Sequence, residues 1–277
     1  MAAKSAGVNA PHFETITAAI DGPLGRLTLN RPERLNAIDA TMLHELAEAA
    51  RWFDGAPDLR VVILSGAGRA FSAGADVRNL PSASSGTARS WLARREAGQL
   101  GLRAADALEQ MHAVTIAQVH GYAVGGGLVL TAVCDLRVAA EDASFFIPEI
   151  ELGIPLAWGG IPRLVREIGP ALTKELVMTC RRFTPHEAKA IGFLNRVVPA
   201  ARLAAEVEAL AQELIARPAV PVAITKEHVN AVARTMGAGF TAFADGDVLQ
   251  WAFSEEESRA AARRYAEKTF SKSRPKP

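Results

Sequence analysis

Two glycine-rich segments contain the residues best suited to chemistry. The first is AFSAGAD at Ala70–Asp76, and the second is AVGGG, which lies within the long apolar run Ala113–Asp135. In each, glycines stand where a short apolar strand should meet a helix, so backbone N–H groups can approach a ligand closely. A helix N-terminus adds a field that favours negative charge. Two such turns can direct two N–H groups at one oxygen, as an oxyanion hole does.

A carboxylate further along the chain is the candidate for moving protons. Glu149 stands in the sequence FFIPEIELG, with Phe145–Ile147 and Ile150 around it. Apolar surroundings raise the pKa of a carboxyl group, which suits a general base and acid working near neutral pH. A surface carboxylate without a catalytic role is the simpler alternative. If this segment is an extended strand, Glu151 shares the face of Glu149. It is then a second catalytic carboxylate or, as we favour, part of a structural ion pair.

Composition and charge exclude several classes of function. The net charge of +1 gives no general reason to bind nucleic acid or an anionic membrane. The two cysteines, Cys134 and Cys180, fit a reducing compartment, and no HExxH or clustered Cys/His spacing indicates a metal site. The first residues, MAAKSAGVNAPHF, lack the hydrophobic core of a signal peptide, so we predict a cytoplasmic protein. Neither GxSxG nor GxxxxGK[ST] is present, which argues against an α/β-hydrolase and an NTPase.

Periodicity and capping predict the elements that would position these residues. Asp39 can cap a helix over Thr41–Phe53, and Thr184, followed by Pro185, can cap a helix over PHEAKA. A loop is predicted at Leu80–Gly86. The other predicted elements are strands at Phe13–Ile20, Arg26–Asn30, Val61–Leu64, Thr115–Val119, Leu136–Ala139 and Phe193–Val198, a helix near Arg89–Met111, and a helix from the glycine turn to about Cys134.

The order of these elements predicts an α/β protein with a helical C-terminal region. Strands alternate with helices up to about residue 200, and the sequence becomes almost entirely helical after Pro199. We therefore predict a core over residues 1–200 and a helical region over residues 201–277. The run Ala113–Cys134 is nearly long enough to span a bilayer, but its glycines predict a buried strand followed by a helix instead.

Six segments of the chain resemble the crotonase superfamily, the enoyl-CoA hydratase/isomerase family. They are NRPERLNAID (30–39), GRAFSAGADV (68–77), AQVHGYAVGGGLVLTAVCDLRVA (117–139), FFIPEIELGIP (145–155), GGIPRLVREIG (159–169) and TPHEAKAIGFLNRVV (184–198). The resemblance implies a spiral of ββα units whose C-terminal helices mediate trimers, which often pair into hexamers. It also implies that the chain binds acyl-CoA thioesters and stabilises an enolate, with fatty-acid degradation as the default pathway. No cofactor is implied, because coenzyme A is part of the substrate.

The resemblance also assigns roles to individual positions. The oxyanion donors should be the backbone N–H groups of Ala75 and Gly126, next to Gly125. The adenine of CoA should lie near a second set of residues, which consists of Leu35, Ala73, Ala75, Asp76 and Val77. Trp158 stands where a small residue is common, and it either lines or shortens the acyl pocket or simply packs.

One departure from the family pattern decides our choice of reaction. Hydratase members use two glutamates, one in a GGGxE sequence and one in the PE of a later strand. Here Glu149 provides the second, but Val129 occupies the position of the first. A single carboxylate is enough for a 1,3-proton shift, and known Δ3-Δ2-enoyl-CoA isomerases resemble this pattern.

We therefore favour an isomerase that uses Glu149 as base and acid. A weak or atypical hydratase and a non-catalytic acyl-CoA-binding protein are the alternatives. The aspartates of dienoyl-CoA isomerases and dehalogenases are missing, and Ala157 stands near their position.

Overall fold

The computed structural model describes residues 11–79, 90–236 and 244–271. Its main sheet has the strand order β1-β2-β3-β4-β6-β8, and β5 pairs with β7 in a smaller parallel sheet. In the main sheet β1 and β2 are antiparallel, and each later pair is parallel. The strands are Ile16–Asp21 (β1), Leu24–Leu29 (β2), Val61–Gly66 (β3), Val114–Val119 (β4), Tyr122–Val124 (β5), Leu136–Ala140 (β6), Ser144–Phe146 (β7) and Arg196–Val198 (β8).

Helices cover both faces of the main sheet. They are Ala40–Asp54 (α1), Trp91–Glu109 (α2), Gly126–Ala132 (α3), Gly160–Thr179 (α4), Pro185–Ala190 (α5), Leu203–Ile215 (α6), Ala219–Met236 (α7), Asp245–Ser254 (α8) and Glu256–Ser271 (α9). The predicted caps are confirmed, because Asp39 accepts the N–H of Met42 and Thr184 accepts the N–H of Glu187. Local capping chemistry therefore fixes where α1 and α5 begin.

The run Ala113–Cys134 divides into β4, β5 and α3, as its glycines predict. All of α3 is buried, and Leu128 and Leu130 belong to the main hydrophobic core. Within the described ranges, no helix has the length and apolar character needed to cross a bilayer.

One sequence prediction needs adjustment, and another is not tested. The strand predicted at Phe193–Val198 shortens to Arg196–Val198, because the N–H groups of Phe193 and Leu194 both donate to the carbonyl of Ala188 at the end of α5. Those donors are no longer available to a β-ladder. The loop predicted at Leu80–Gly86 lies outside the described residues.

The helices after residue 200 play different parts. Helix α6 packs on the sheet, where its Val207 and Ala211 are fully buried in a second apolar cluster. Helix α7 has no buried residue. Helix α8 crosses α2 at Gly98 and Gly246, where a β-carbon on Gly246 would lie 2.8 Å from the backbone of Gly98. This close crossing packs α8 against α2. The division of the chain at residue 200 stays a prediction.

Candidate active site

The two glycine turns predicted from the sequence lie against each other. Ser72 and Ala123 form a β-bridge, and the N–H of Val124 donates to the carbonyl of Ser72 over 3.1 Å. A β-carbon built on Gly74 would lie 2.6 Å from the carbonyl oxygen of Val124 and 3.6 Å from the nitrogen of Gly126. Gly74 also has a φ of 86°, so both its conformation and its space require glycine.

Each turn has at least one backbone N–H group that is available to a ligand. The N–H of Asp76 donates to Ile38, and the N–H of Gly125 donates to Phe146. Ala75 comes just before Asp76, and Gly126 comes just after Gly125. The N–H groups of Ala75 and Gly126 have no acceptor among the residues that the structure describes. Gly126 is also the first residue of α3, where an N–H group has no partner within its own helix. Two adjacent turns therefore each present a free donor, as an oxyanion hole requires.

Glu149 is buried beside the second turn. Its residue is 8% exposed, and its Oε2 has no hydrogen-bond partner in the described chain. A β-carbon on Gly125, whose φ is 48°, would lie 2.3 Å from Oε1. Burial raises the pKa of Glu149 to about 7. The carboxyl group is thus in contact with the second glycine turn, and its raised pKa lies in the range that suits a general base.

The backbone around Glu149 is not the extended strand that would place Glu151 on the same face. Strand β7 ends at Phe146, and Glu149 lies in a turn closed by the N–H of Ile154, which donates to the Glu149 carbonyl over 2.9 Å. In this turn Glu149 is buried, whereas Glu151 is exposed. The two carboxylates therefore do not act from one face. Of the apolar residues expected around it, Phe145 and Ile147 are fully buried, whereas Ile150 is 46% exposed.

Val129 is buried in apolar surroundings on α3. It is 1% exposed and faces the start of α4, where a β-carbon on Gly160 would lie 2.8 Å from Cγ2 of Val129 and 2.9 Å from Leu156. The position where hydratases carry their first glutamate therefore offers no group that holds or activates water.

Trp158 contacts the second glycine turn from the side of α4. A β-carbon on Gly126 would lie 2.2 Å from Cζ3 of Trp158, and a β-carbon on Gly101 would lie 2.1 Å from its Cδ1 and Nε1. The indole is therefore wedged between α2 and the first residue of α3, and both helices need glycine at the contact.

Trp158 is held in an unfavourable backbone conformation by a buried ion network. Its φ is 60°, in the left-handed region that costs a residue with a side chain about 1–2 kcal/mol. Nη1 of Arg163 donates to the carbonyls of Trp158 (3.1 Å) and Gly159 (3.2 Å). The Gly159 N–H donates to Oδ2 of Asp245 on α8 over 2.7 Å. Four interactions on the far side complete the network: Arg163–Glu109 (2.9 Å), Arg163–Asp106 (2.8 Å), Arg166–Glu109 (2.7 Å) and Arg166–Glu167 (3.6 Å).

A cavity of about 400 Å³ opens beside the first turn. Ala75 and Asp76 line one end, and Trp158 lines a wall. The remaining walls come from three helices and the residues just before α1: Ile38, Asp39, Ala40, Thr41 and Leu43; Ala97, Gly98 and Leu100; and Leu249, Gln250 and Phe253. Glu149 and Gly126 are not part of the lining, but Gly126 contacts Trp158, which is.

The residues expected near the CoA adenine lie together on the outer side of the first turn. The N–H of Ala73 donates to the carbonyl of Leu35 over 2.8 Å, and both residues are half-buried, as is Val77. Asp76 is buried, and its carboxylate pairs with Arg31, Arg34 and Arg78 at 3.2–3.3 Å. Burial alone would raise the pKa of Asp76, but Arg78 and Arg31 together lower it.

Several residues of the site are absent from the sequence prediction. They are Gly101 on α2, Arg163 on α4, and Asp245, Leu249 and Phe253 on α8. One signal for Gly101 is present in the sequence, because a glycine inside a helical segment costs stability and often marks close packing. The α8 residues carry no such signal, since only the folded chain brings them to the cavity.

A larger cavity of about 640 Å³ lies elsewhere, between α7 and the sheet. Its charged lining is already paired: Lys226–Asp135 (2.7 Å), Arg137–Glu167 (2.5 Å), Arg166–Glu109 (2.7 Å) and Arg217–Glu213 (3.1 Å). These pairs leave no free charge to recognise a polar ligand. In residues 11–79, 90–236 and 244–271, no three His, Cys, Asp or Glu side chains converge as metal ligands would.

The sequence matches the model of the enoyl-CoA hydratase/isomerase family over residues 20–272. The chain belongs to this family. It is 37% identical over 218 residues to a probable enoyl-CoA hydratase of Mycobacterium bovis, covering 79% of this chain and 82% of that protein. It is 32% identical over 251 residues to a short-chain-enoyl-CoA hydratase of Clostridium acetobutylicum, covering 90% and 93%.

Solved structures confirm the predicted crotonase fold. An enoyl-CoA hydratase from Mycobacterium avium subsp. paratuberculosis superimposes with a TM-score of 0.81 at 25% identity, covering 92% of this chain and 99% of that one. A structure from Geobacillus kaustophilus, also titled as an enoyl-CoA hydratase, gives a TM-score of 0.73 at 32% identity, covering 92% and 96%. The family and the fold are thus established independently of the site geometry.

Proposed function

We propose that this protein is an enoyl-CoA isomerase that moves a double bond from the 3,4- to the 2,3-position of an acyl-CoA thioester. The observation that carries the proposal is the contrast between two positions beside the oxyanion turn. Glu149 is a buried carboxyl group with a pKa near neutrality, whereas Val129 is apolar and packed against Gly160. One group that moves a proton is enough for isomerisation, and hydration needs a second polar group to orient water.

In the proposed reaction the carboxylate of Glu149 takes a proton from C2 of a 3-enoyl thioester. The electron pair of the broken C–H bond delocalises onto the thioester oxygen, which accepts hydrogen bonds from the N–H groups of Ala75 and Gly126. The protonated Glu149 then returns its proton to C4, and the double bond forms between C2 and C3. The proton and the electrons balance within the substrate and Glu149, so the step requires no further cofactor.

Two alternatives lead to different products. The relatives named as hydratases favour water addition, which would yield a 3-hydroxyacyl thioester. Loss of half of the acid–base pair at Val129 favours an acyl-CoA-binding protein without turnover.

Incubation with a 3-enoyl-CoA, followed by chromatography with mass detection, tests the proposal. We expect 2-enoyl-CoA to accumulate without a 3-hydroxyacyl product. A 3-hydroxyacyl-CoA as the main product would replace the isomerase with a hydratase. Binding of the thioester without any product would replace it with a binding protein.

The pH dependence of the reaction should follow Glu149. Because the base must be ionised before it takes the C2 proton, we expect kcat/KM to rise with pH and to reach half of its maximum at about pH 7. The measurement is the initial isomerisation rate at low substrate concentration between about pH 5 and pH 9. A profile that stays flat across this range would contradict a base with the pKa of Glu149.

We further propose that the CoA portion lies along Leu35, Ala73, Asp76 and Val77, and that the chain assembles as a homotrimer or a dimer of trimers. Support for assembly comes from α7, which exposes large apolar side chains: Val220 (65%), Ile224 (44%), Val229 (60%), Val232 (62%) and Met236 (69%). Such a face is unusual on an isolated subunit. Light scattering of the purified protein would give the number of subunits.

A further inference from the structure

We propose that Trp158 selects the acyl group, admitting chains that are unbranched next to the thioester and directing them into the cavity under α8. This inference rests on the proposed acyl-CoA function, and it assigns a specificity role that the family pattern of a small residue at this position does not supply. Trp158 would act through contact with the acyl chain and not through the proton transfer.

The position of the indole relative to the donors carries the argument. The thioester oxygen would be bound by the N–H groups of Ala75 and Gly126, and Trp158 touches the α-carbon side of Gly126. Ala75 and Trp158 line the same cavity. An acyl chain that leaves the oxyanion turn for this cavity must therefore pass along the indole within its first few carbons.

The indole has little freedom to retreat from that path. Gly101 on α2 lies against one edge of the ring and Gly126 on α3 against the other, so closely that a β-carbon built on either would lie 2.1 Å or 2.2 Å from the ring. Its backbone is held by Arg163 and, through the Gly159 N–H, by Asp245. A rigid aromatic wall beside the reacting carbons excludes a methyl branch, because added volume in a packed apolar site is costly.

The opposite wall explains what the cavity accepts. The helices contribute four apolar side chains to its lining: Leu43 of α1, Leu100 of α2, and Leu249 and Phe253 of α8. The two carboxylates in the lining, Asp39 and Asp76, both pair with Arg31, at 3.0 Å and 3.3 Å. A hydrocarbon chain therefore gains free energy by leaving water against the apolar side chains. Since α8 is fixed by the Gly98–Gly246 crossing and by Asp245, the C-terminal region contributes directly to the acyl site.

Saturated acyl-CoAs test the proposal by calorimetry, because they bind without reacting. Butyryl-CoA and 2-methylbutyryl-CoA should be compared on the wild-type protein, Trp158→Ala and Trp158→Phe. For the wild-type protein we expect the Kd of 2-methylbutyryl-CoA to be about tenfold or more higher than that of butyryl-CoA. This is the range that one methyl group gives in a fitted pocket. In Trp158→Ala the ratio should approach one through tighter binding of the branched ligand, and Trp158→Phe should lie between.

Trp251→Ala is the matched control, because Trp251 lies on α8, is 67% exposed and does not line the cavity. Its ratio should equal that of the wild type. An unchanged ratio in Trp158→Ala and Trp158→Phe would overturn the inference while leaving the acyl-CoA function intact. Binding of neither ligand by any of the proteins would refute the acyl-CoA function itself and this inference with it, and far-ultraviolet circular dichroism would confirm that each variant is folded.

Discussion

Glu149→Gln should abolish isomerisation and at the same time stabilise the protein above neutral pH. The amide keeps the shape of the side chain but cannot take the C2 proton. General acid–base catalysis typically contributes about 10²–10⁴ in rate, so a loss of at least that size is expected in kcat. The measurement is 2-enoyl-CoA formation at saturating substrate, together with thermal unfolding of both proteins.

The expected gain in stability follows from the direction of the pKa shift. Burial raises the pKa of Glu149 from 4.5 in the unfolded chain to about 7 in the folded protein. The stabilisation from this group is fully present below pH 4.5 and is lost as the pH rises through about 7. Above that pH the folded protein keeps a buried, unpaired charge at a cost on the order of 3 kcal/mol. Replacing it by a neutral amide should therefore raise Tm at pH 8 and change it little at pH 5.

The pairing of these two effects separates catalysis from structural damage. Glu151→Gln is the matched control, because Glu151 is exposed two residues away and should retain both activity and Tm. If Glu149→Gln kept full activity, Glu149 would not be the base. If it instead lowered Tm at both pH values, the carboxyl group would have a structural role that its unpartnered Oε2 does not indicate.

Local chemistry made much of this site predictable from the sequence. Asp39 and Thr184 begin α1 and α5, because a cap depends only on residues within one turn. Gly74 and Gly125 adopt positive φ values that glycine accepts without strain. The two turns were predicted from these glycines, and the structure places them against each other.

Long-range contacts account for what the sequence did not predict. Asp245 reaches the Gly159 N–H from 86 residues away, and no local pattern connects α8 with the start of α4. The apolar residues around Glu149 are typical of a strand. The hydrogen bond from the Ile154 N–H nevertheless closes a turn there, in which Glu151 is exposed to solvent. The position of the Trp158 indole depends on Gly101 and Gly126, which lie on different helices.

Glu109→Gln should destabilise the fold by about 3–5 kcal/mol, the usual cost of removing one partner from a buried ion network. The Glu109 side chain is 9% exposed and neutralises the buried Arg163 (5%) and the partly buried Arg166 (14%). Arg163 also holds the carbonyls of Trp158 and Gly159. The free energy of unfolding, measured with urea at pH 7, tests the expected loss.

The pH dependence and a neighbouring residue provide the controls for this prediction. Burial acts to raise the pKa of Glu109, but Arg163 and Arg166 outweigh it and lower the pKa below 4.5. Its stabilisation is therefore present above pH 4.5 and is lost as the pH falls through the lowered value, so the difference between wild type and variant should shrink in strong acid. Asp106→Asn is the matched control, because Asp106 pairs with the same Arg163 but is 44% exposed, and it should cost about 1 kcal/mol or less. Equal losses of stability in the two variants would mean that the positions of Arg163 and Arg166, and with them the position of Trp158, do not depend on the charge of Glu109.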